Sequence, residues 1–114
     1  MIVINRSKKG VELNLTAIEM GDDLCIVLTG GESHLGAVTV GAAGLDTETV
    51  AIGEHKEHHV TERIAKILKE KYTGSFVICS GIHYDNIRKE DIETVLELSC
   101  EMAEEICLIL NSNP

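Results

Sequence analysis

The sequence predicts an α+β fold, a two-layer sandwich in which a mostly antiparallel five-stranded sheet carries two helices on one face. Three observations predict it. Short stretches of the first half alternate apolar with polar residues, the apolar period lengthens to about 3.6 residues after position 58, and glycine-containing turns separate the stretches. The resulting order, β-β-β-β-α-β-α, fits a single domain over residues 1–114, because a chain of this length rarely holds two.

Four strands are predicted in the first half, over residues 11–17, 24–28, 35–41 and 48–52. The first and third alternate apolar with polar residues, as half-buried strands do. The second reads LCIVL, a continuous apolar run that is typical of a more deeply buried strand. We expect the four strands to form an antiparallel meander.

The second half predicts a helix, a fifth strand and a longer helix. Between residues 58 and 72 the apolar side chains fall on one stripe at helical spacing, and residues 75–80 (SFVICS) are predicted as a strand. The last helix spans residues 89–110, with acidic residues in its first turn, where they complement the helix dipole. Leu98 and Met102 widen its apolar surface beyond one stripe, so we expect a subunit contact near the C-terminus and a homo-oligomer.

This layout predicts where three loops lie. If the first four strands alternate in direction, the second and fourth end at the same edge of the sheet. A helical crossover usually joins parallel strands, so the fifth strand ends there too. The segments that follow these strands, residues 30–36, 53–59 and 81–86, should therefore converge.

These segments hold every histidine of the chain: His34, His55, His58, His59 and His83. Five randomly placed histidines would seldom all fall in three strand-end loops, so we expect a shared polar site. Each segment also opens with glycine, which lets a ligand approach the backbone closely.

Three kinds of chemistry fit these residues. For each of them an ordinary structural role explains the same residues as an alternative. Gly53 before a helix start, together with Lys56, suits an anion such as phosphate, although glycine-rich turns are common. A metal ion could take His55, His59 and His83, but surface histidines at a helix start explain the same spacing.

The third chemistry is general acid–base catalysis by His83 with Asp85, or by His34. A histidine and an aspartate two residues apart more often hydrogen-bond to the backbone of a turn. The chain has no nucleophile elbow and no Walker or dinucleotide motif, so covalent catalysis has little support.

Composition excludes several function classes. The chain has 10 Lys and Arg against 19 Asp and Glu, a net charge of −9, and only three aromatic residues, which argues against nucleic-acid binding. No apolar run approaches the roughly 20 residues of a membrane span, and the N-terminus lacks the charge order of a secretory signal. We therefore expect a cytoplasmic protein. The four cysteines, without C-x-x-C spacing, are expected to be reduced and buried.

Three motifs carry a family resemblance. They are GG-x-x-H-x-GAV at Gly30, Gly31, His34 and Gly36, G-x-H-K at Gly53, His55 and Lys56, and GIH-x-DN at Gly81, His83, Asp85 and Asn86. With these motifs the sequence resembles the LpdD-like family, prenylated-flavin chaperones that are also described as the D subunit of UbiD-type aromatic-acid (gallate) decarboxylases. The pattern often has proline before its first histidine, where this chain has Ser33.

The resemblance implies a non-catalytic subunit that binds prenylated FMN and loads or protects it for a UbiD-type decarboxylase catalytic subunit. A flavin prenyltransferase is a further candidate partner. In that role Gly53 and Lys56 would hold the phosphate, and histidines with Asp85 and Asn86 would contact the ring system. Because aromatic residues are few, Tyr84, Leu35 or a partner subunit would have to cover the ring face.

Overall fold

A computed structural model describes residues 1–52 and 58–112 of the chain. These residues form a six-stranded sheet and two helices, which confirms the predicted α+β class. The elements are β1 (Ile2–Lys8), β2 (Val11–Met20), β3 (Asp23–Gly31), β4 (Ala37–Gly41), β5 (Glu48–Ala51), α1 (His58–Lys71), β6 (Phe76–His83) and α2 (Lys89–Asn111).

The strand order is β1-β2-β3-β6-β4-β5, so the predicted antiparallel meander is wrong. β6 lies between β3 and β4, parallel to the first and antiparallel to the second. The crossover through α1 explains this insertion, because it returns the chain to the sheet parallel to β3. The predicted directions nevertheless hold, and β3, β5 and β6 all end at one edge of the sheet.

The sequence prediction missed β1, which is why the sheet has six strands rather than the predicted five. β1 is an edge strand that pairs with β2 in antiparallel register. Ile4 enters the core, while Arg6 and Lys8 form ion pairs of 2.5 Å with Glu105 and Glu97 of α2. Ion pairs with a helix that is distant in sequence therefore hold part of β1 in place. A local apolar pattern does not reveal such contacts.

Both helices pack on one face of the sheet, as predicted. α2 contacts β1 and β2, whereas α1 contacts β4, β5 and β6, and the helices contact each other. Alternate strand residues supply the sheet side of this core, including Leu13, Leu15, Ile26, Leu28 and Ile78, all with no exposed surface. We call this the core face and the opposite side the open face.

The wide apolar surface of α2 packs mainly against other elements of the same chain. Leu98 and Met102 are buried in the core, whereas Leu108 is 71% exposed. Packing against both the sheet and α1 accounts for most of the breadth that suggested a subunit contact. The contact near the C-terminus stays a prediction.

Buried hydroxyl groups fix the start of α1 on the sheet. Thr39 of β4 lies 2.8 Å from the hydroxyl oxygens of both Thr49 and Thr61, and Thr61 also donates to the carbonyl oxygen of His58. Thr39 and Thr61 have no exposed surface, so these hydrogen bonds form in a dry environment. No helix in the described ranges is both long and apolar enough to cross a membrane.

Candidate functional site

The candidate site lies at the edge where β3, β5 and β6 end. β3 and β6 run in parallel register to their last residues, so Gly31 is aligned with His83. β5 ends at Ala51, and the next residue, Ile52, donates its backbone N–H to the carbonyl oxygen of Gly36 at 2.8 Å. The sheet thus brings the three predicted segments to one edge, although they are far apart in sequence.

The loop over residues 32–36 is held against β6 by backbone hydrogen bonds at both ends. Glu32 donates to the carbonyl oxygen of His83 at 2.9 Å, and Gly36 donates to that of Ser80 at 2.8 Å. Gly31 turns the chain with φ +63°, a conformation that side chains disfavour. At Gly81 a Cβ atom would overlap the carbonyl oxygen of His34, so the loop requires glycine at this position.

This packing brings His34 and His83 together. Their ring centroids are 6.1 Å apart and the rings lie at 84° to each other. Nδ1 of His34 is 3.4 Å from the carbonyl oxygen of Glu32, and Nε2 of His83 is 3.2 Å from the Asp85 carboxylate. Two imidazoles and a carboxylate can each exchange hydrogen bonds with a polar ligand, and the roles of the ring nitrogens depend on their tautomers.

An open cleft of about 290 Å³ lies beside these rings, lined by Glu32, Ser33, His34 and His83. Small-molecule sites range from about 300 to 1,000 Å³, so the cleft can take one edge of a ring system but not a whole nucleotide. Glu32 and Ser33 were not singled out as binding residues from the sequence. Their position inside the GG-x-x-H motif was the available signal.

The other residues predicted for the site lie in different parts of the structure. Gly30 packs near Leu13 and Ile82 on the core side, and Asn86 has φ +58° in the turn before α2. The Asp85 carboxylate is 87% exposed. Gly53, His55 and Lys56 lie outside the described residues, so the predicted phosphate contacts stay predictions.

The histidines at the start of α1 form a separate pair. The rings of His58 and His59 are 4.1 Å apart, and neither residue lines the cleft. Within residues 1–52 and 58–112, no three His, Cys, Asp or Glu side chains are grouped so as to hold a metal ion. The alternative site of His55, His59 and His83 therefore gains no support from the described part, and His55 is outside it.

Tyr84 was predicted as one candidate to cover a bound ring, and this stays a prediction. In the structure the backbone of Glu12 holds its hydroxyl group. Its hydroxyl group donates to the carbonyl oxygen of Glu12 at 2.6 Å and accepts from the Glu12 N–H at 2.9 Å. These bonds tie the end of β6 to β2. In the connection that follows, the Arg88 backbone N–H donates to Asp91 and, as the main cause, lowers the pKa of that carboxylate.

Comparison with known proteins gives three results. Residues 7–111 match the prenylated flavin chaperone LpdD-like domain. Protein LpdD of Lactiplantibacillus plantarum is 30% identical over 120 aligned positions, which cover all of this chain and 88% of that protein.

The third result is structural. A chain from the crystal structure of a novel chaperone complex for yeast 20S proteasome assembly has a TM-score of 0.62. That comparison covers 92% of this chain and 93% of the other, at 11% identity, and shows a shared fold alone. The domain match spans nearly the whole chain and includes the loops that carry His34 and His83, and the chain therefore belongs to the prenylated flavin chaperone LpdD-like family.

Proposed function

We propose that this chain binds prenylated FMN at the cleft beside His34 and His83 and transfers or protects it for a UbiD-type decarboxylase, without catalysing a reaction itself. The observation that carries the proposal is the convergence of the β3 and β6 ends, which places two imidazoles 6.1 Å apart beside a glycine-lined loop. A chaperone role agrees with the family to which the chain belongs.

The residues fit part of this cofactor. A flavin ring has carbonyl oxygens and ring nitrogens at one edge, and His34, His83 and the hydroxyl group of Ser33 supply complementary groups there. Close approach is possible because Gly31 and Gly81 leave room for the backbone of the loop. Prenylated FMN would supply its ring chemistry to the decarboxylase after transfer, whereas the residues of this chain would only bind and orient it.

We further propose that Gly53, His55 and Lys56 contact the phosphate, since the segment after β5 starts beside Gly36 at this same edge. Gly30, Gly36, Asp85 and Asn86 complete the proposed set by shaping or bordering the loops. An acidic chain can still bind an anion where backbone amides and one lysine make the local field positive.

Binding of prenylated FMN to wild-type and variant protein tests the proposal. His83→Ala should weaken binding at least tenfold, whereas His59→Ala, the same substitution at a histidine outside the cleft, should leave affinity within about twofold. A tenfold loss corresponds to about 1.4 kcal/mol. Urea unfolding of both variants verifies that they are folded.

Other outcomes would favour the competing interpretations. Equal, negligible binding of prenylated FMN by wild-type protein and by His83→Ala would leave a purely structural docking subunit. Stoichiometric zinc or iron in untagged protein, lost in both His59→Ala and His83→Ala, would favour the metal-dependent hydrolase or lyase. Transfer is tested by mixing the loaded protein with decarboxylase lacking cofactor and following activity.

A further inference from the structure

Two buried polar atoms on the core side of the sheet are unpartnered. The hydroxyl oxygen of Ser80 and Nδ1 of His58 are both buried, and neither has a hydrogen-bond partner among the described residues. The whole Ser80 residue is only 1% exposed. Burying a hydrogen-bonding group without a partner costs free energy, so such a group needs a specific reason in a folded chain. Both atoms can exchange hydrogen bonds with a bound ligand.

The sheet register puts Ser80 in a row of small side chains. Ser80 is aligned with Ala37, the first residue of β4, and Ala37 is aligned with Ala51, the last residue of β5. All three share the core face, because paired residues point to the same side of a sheet. Ala51 is exposed on the outermost strand, so a ligand can approach this row from the edge of the sheet.

A threonine pair fixes the first turn of α1 over the same row. Thr39, two residues after Ala37 on the same face, lies with its hydroxyl oxygen 2.8 Å from that of Thr61. His58 precedes Thr61 by about one helical turn, just as Ala37 precedes Thr39 by one step along the core face. The start of α1 therefore lies at the level of Ser80, and the two unpartnered atoms belong to one layer.

The first turn of α1 favours an anion in this layer. The first backbone N–H groups of a helix have no carbonyl partner within it, and the helix dipole adds partial positive charge there. The first turn of α1 contains no acidic residue, whereas that of α2 contains Glu90 and Asp91. A hydroxyl group, an imidazole N–H and helical N–H groups are together the donors that suit a phosphate group.

We propose that Ser80, His58 and the first N–H groups of α1 bind a phosphomonoester. The inference rests on the proposed function for the identity of this group, which would be the phosphate of prenylated FMN. By alternation along β6, His83 lies on the open face and Ser80 on the core face, so the bound flavin would cross the edge of the sheet between them. The chain would then select the phosphorylated flavin over its unphosphorylated form.

NMR titration with inorganic phosphate tests the site without any flavin. The backbone N–H signals of His59 and Val60 should shift, and Ser80→Ala should weaken phosphate binding about tenfold, as expected for one hydrogen bond to a charged group. Ser99→Ala is the matched control, since it removes a buried hydroxyl group that donates to the Val95 carbonyl oxygen of α2. Its phosphate affinity should stay within about twofold of wild type. Unshifted signals, or wild-type affinity in Ser80→Ala, would overturn the proposal.

Substitutions of His58 test the buried ring nitrogen separately. His58→Asn keeps an N–H donor near the position of Nδ1 and should retain most of the phosphate affinity. His58→Phe keeps a ring without that donor and should bind phosphate about tenfold more weakly. Equal phosphate affinity in His58→Asn and His58→Phe would contradict a role for Nδ1. Urea unfolding without phosphate verifies that both variants are folded.

Paired flavin measurements distinguish this inference from the proposed function. Prenylated FMN should bind more tightly than its dephosphorylated form, and Ser80→Ala should lower this preference about tenfold. Equal affinity of wild-type protein for the two flavins would overturn the phosphate site, while the flavin cleft at His34 and His83 would stand. Binding of inorganic phosphate at α1 without binding of either flavin would refute the proposed function and support the phosphate site.

Discussion

The two faces of the sheet carry similar side chains but have different surroundings. On β6, Ile78 points into the core and has no exposed surface, while Val77 and Cys79 on either side of it are half-buried on the open face. The two helices cover the first face, and the loop over residues 32–36 covers a small part of the second, at Gly81. Apolar patterning along a strand therefore does not distinguish the face that the helices cover from the open face.

The largest difference between the faces should appear in stability. Ile78→Ala leaves a cavity among fully buried neighbours and should lower the free energy of unfolding by about 2–5 kcal/mol. Val77→Ala, one residue away on the open face, should cost less than about 1 kcal/mol, because that side chain is only half-buried. Urea unfolding measures both. A matching loss in the two variants would contradict this contrast.

The same contrast explains what the sequence could predict. Local periodicity located α1, α2 and five strands, and strand directions placed His34 and His83 at one edge. It could not place β6 between β3 and β4, since strand neighbours depend on the long-range pairing of Leu24–Gly31 with Phe76–His83. β1 was missed because two of its contacts with α2 are ion pairs made by Arg6 and Lys8. These charged residues interrupt the apolar alternation by which a strand is recognised.

The candidate site was predictable only in part, for a related reason. Histidine positions and glycine spacing identified the loops, and these are local signals. The overlap of Gly81 with the His34 backbone and the anchoring of Tyr84 to Glu12 join segments that are distant in sequence. No pattern within either segment encodes such contacts.

Gly81 is where the chain covers its own open face, and it should be the next most sensitive position. Gly81→Ala would force the His34 loop away from β6, lowering the free energy of unfolding by about 1–3 kcal/mol and weakening binding of prenylated FMN. Ser80→Ala is the matched control on the core face. Its buried hydroxyl group has no hydrogen-bond partner among the described residues, so its removal should leave stability unchanged or raise it. Wild-type affinity in Gly81→Ala would show that the loop does not form the site.

The smallest effect concerns thiols on the two sides of the molecule. Burial is the main cause that raises the pKa of both Cys79 on the open face and Cys107 in α2, and Cys107 also lies near Glu104. In the unfolded chain these thiols ionise near their ordinary pKa of about 8.5, while the folded chain still holds the protons. The unfolded state therefore binds fewer protons, and stability falls as pH rises above about 8.5.

Urea unfolding between about pH 8 and pH 10 measures this loss, and Cys79→Ser and Cys107→Ser should each reduce it relative to wild type. The Cys107 contribution should be the larger of the two, because the chain's own core buries that thiol, whereas the Cys79 thiol is only half-buried on the open face. A greater reduction in Cys79→Ser than in Cys107→Ser would contradict this order.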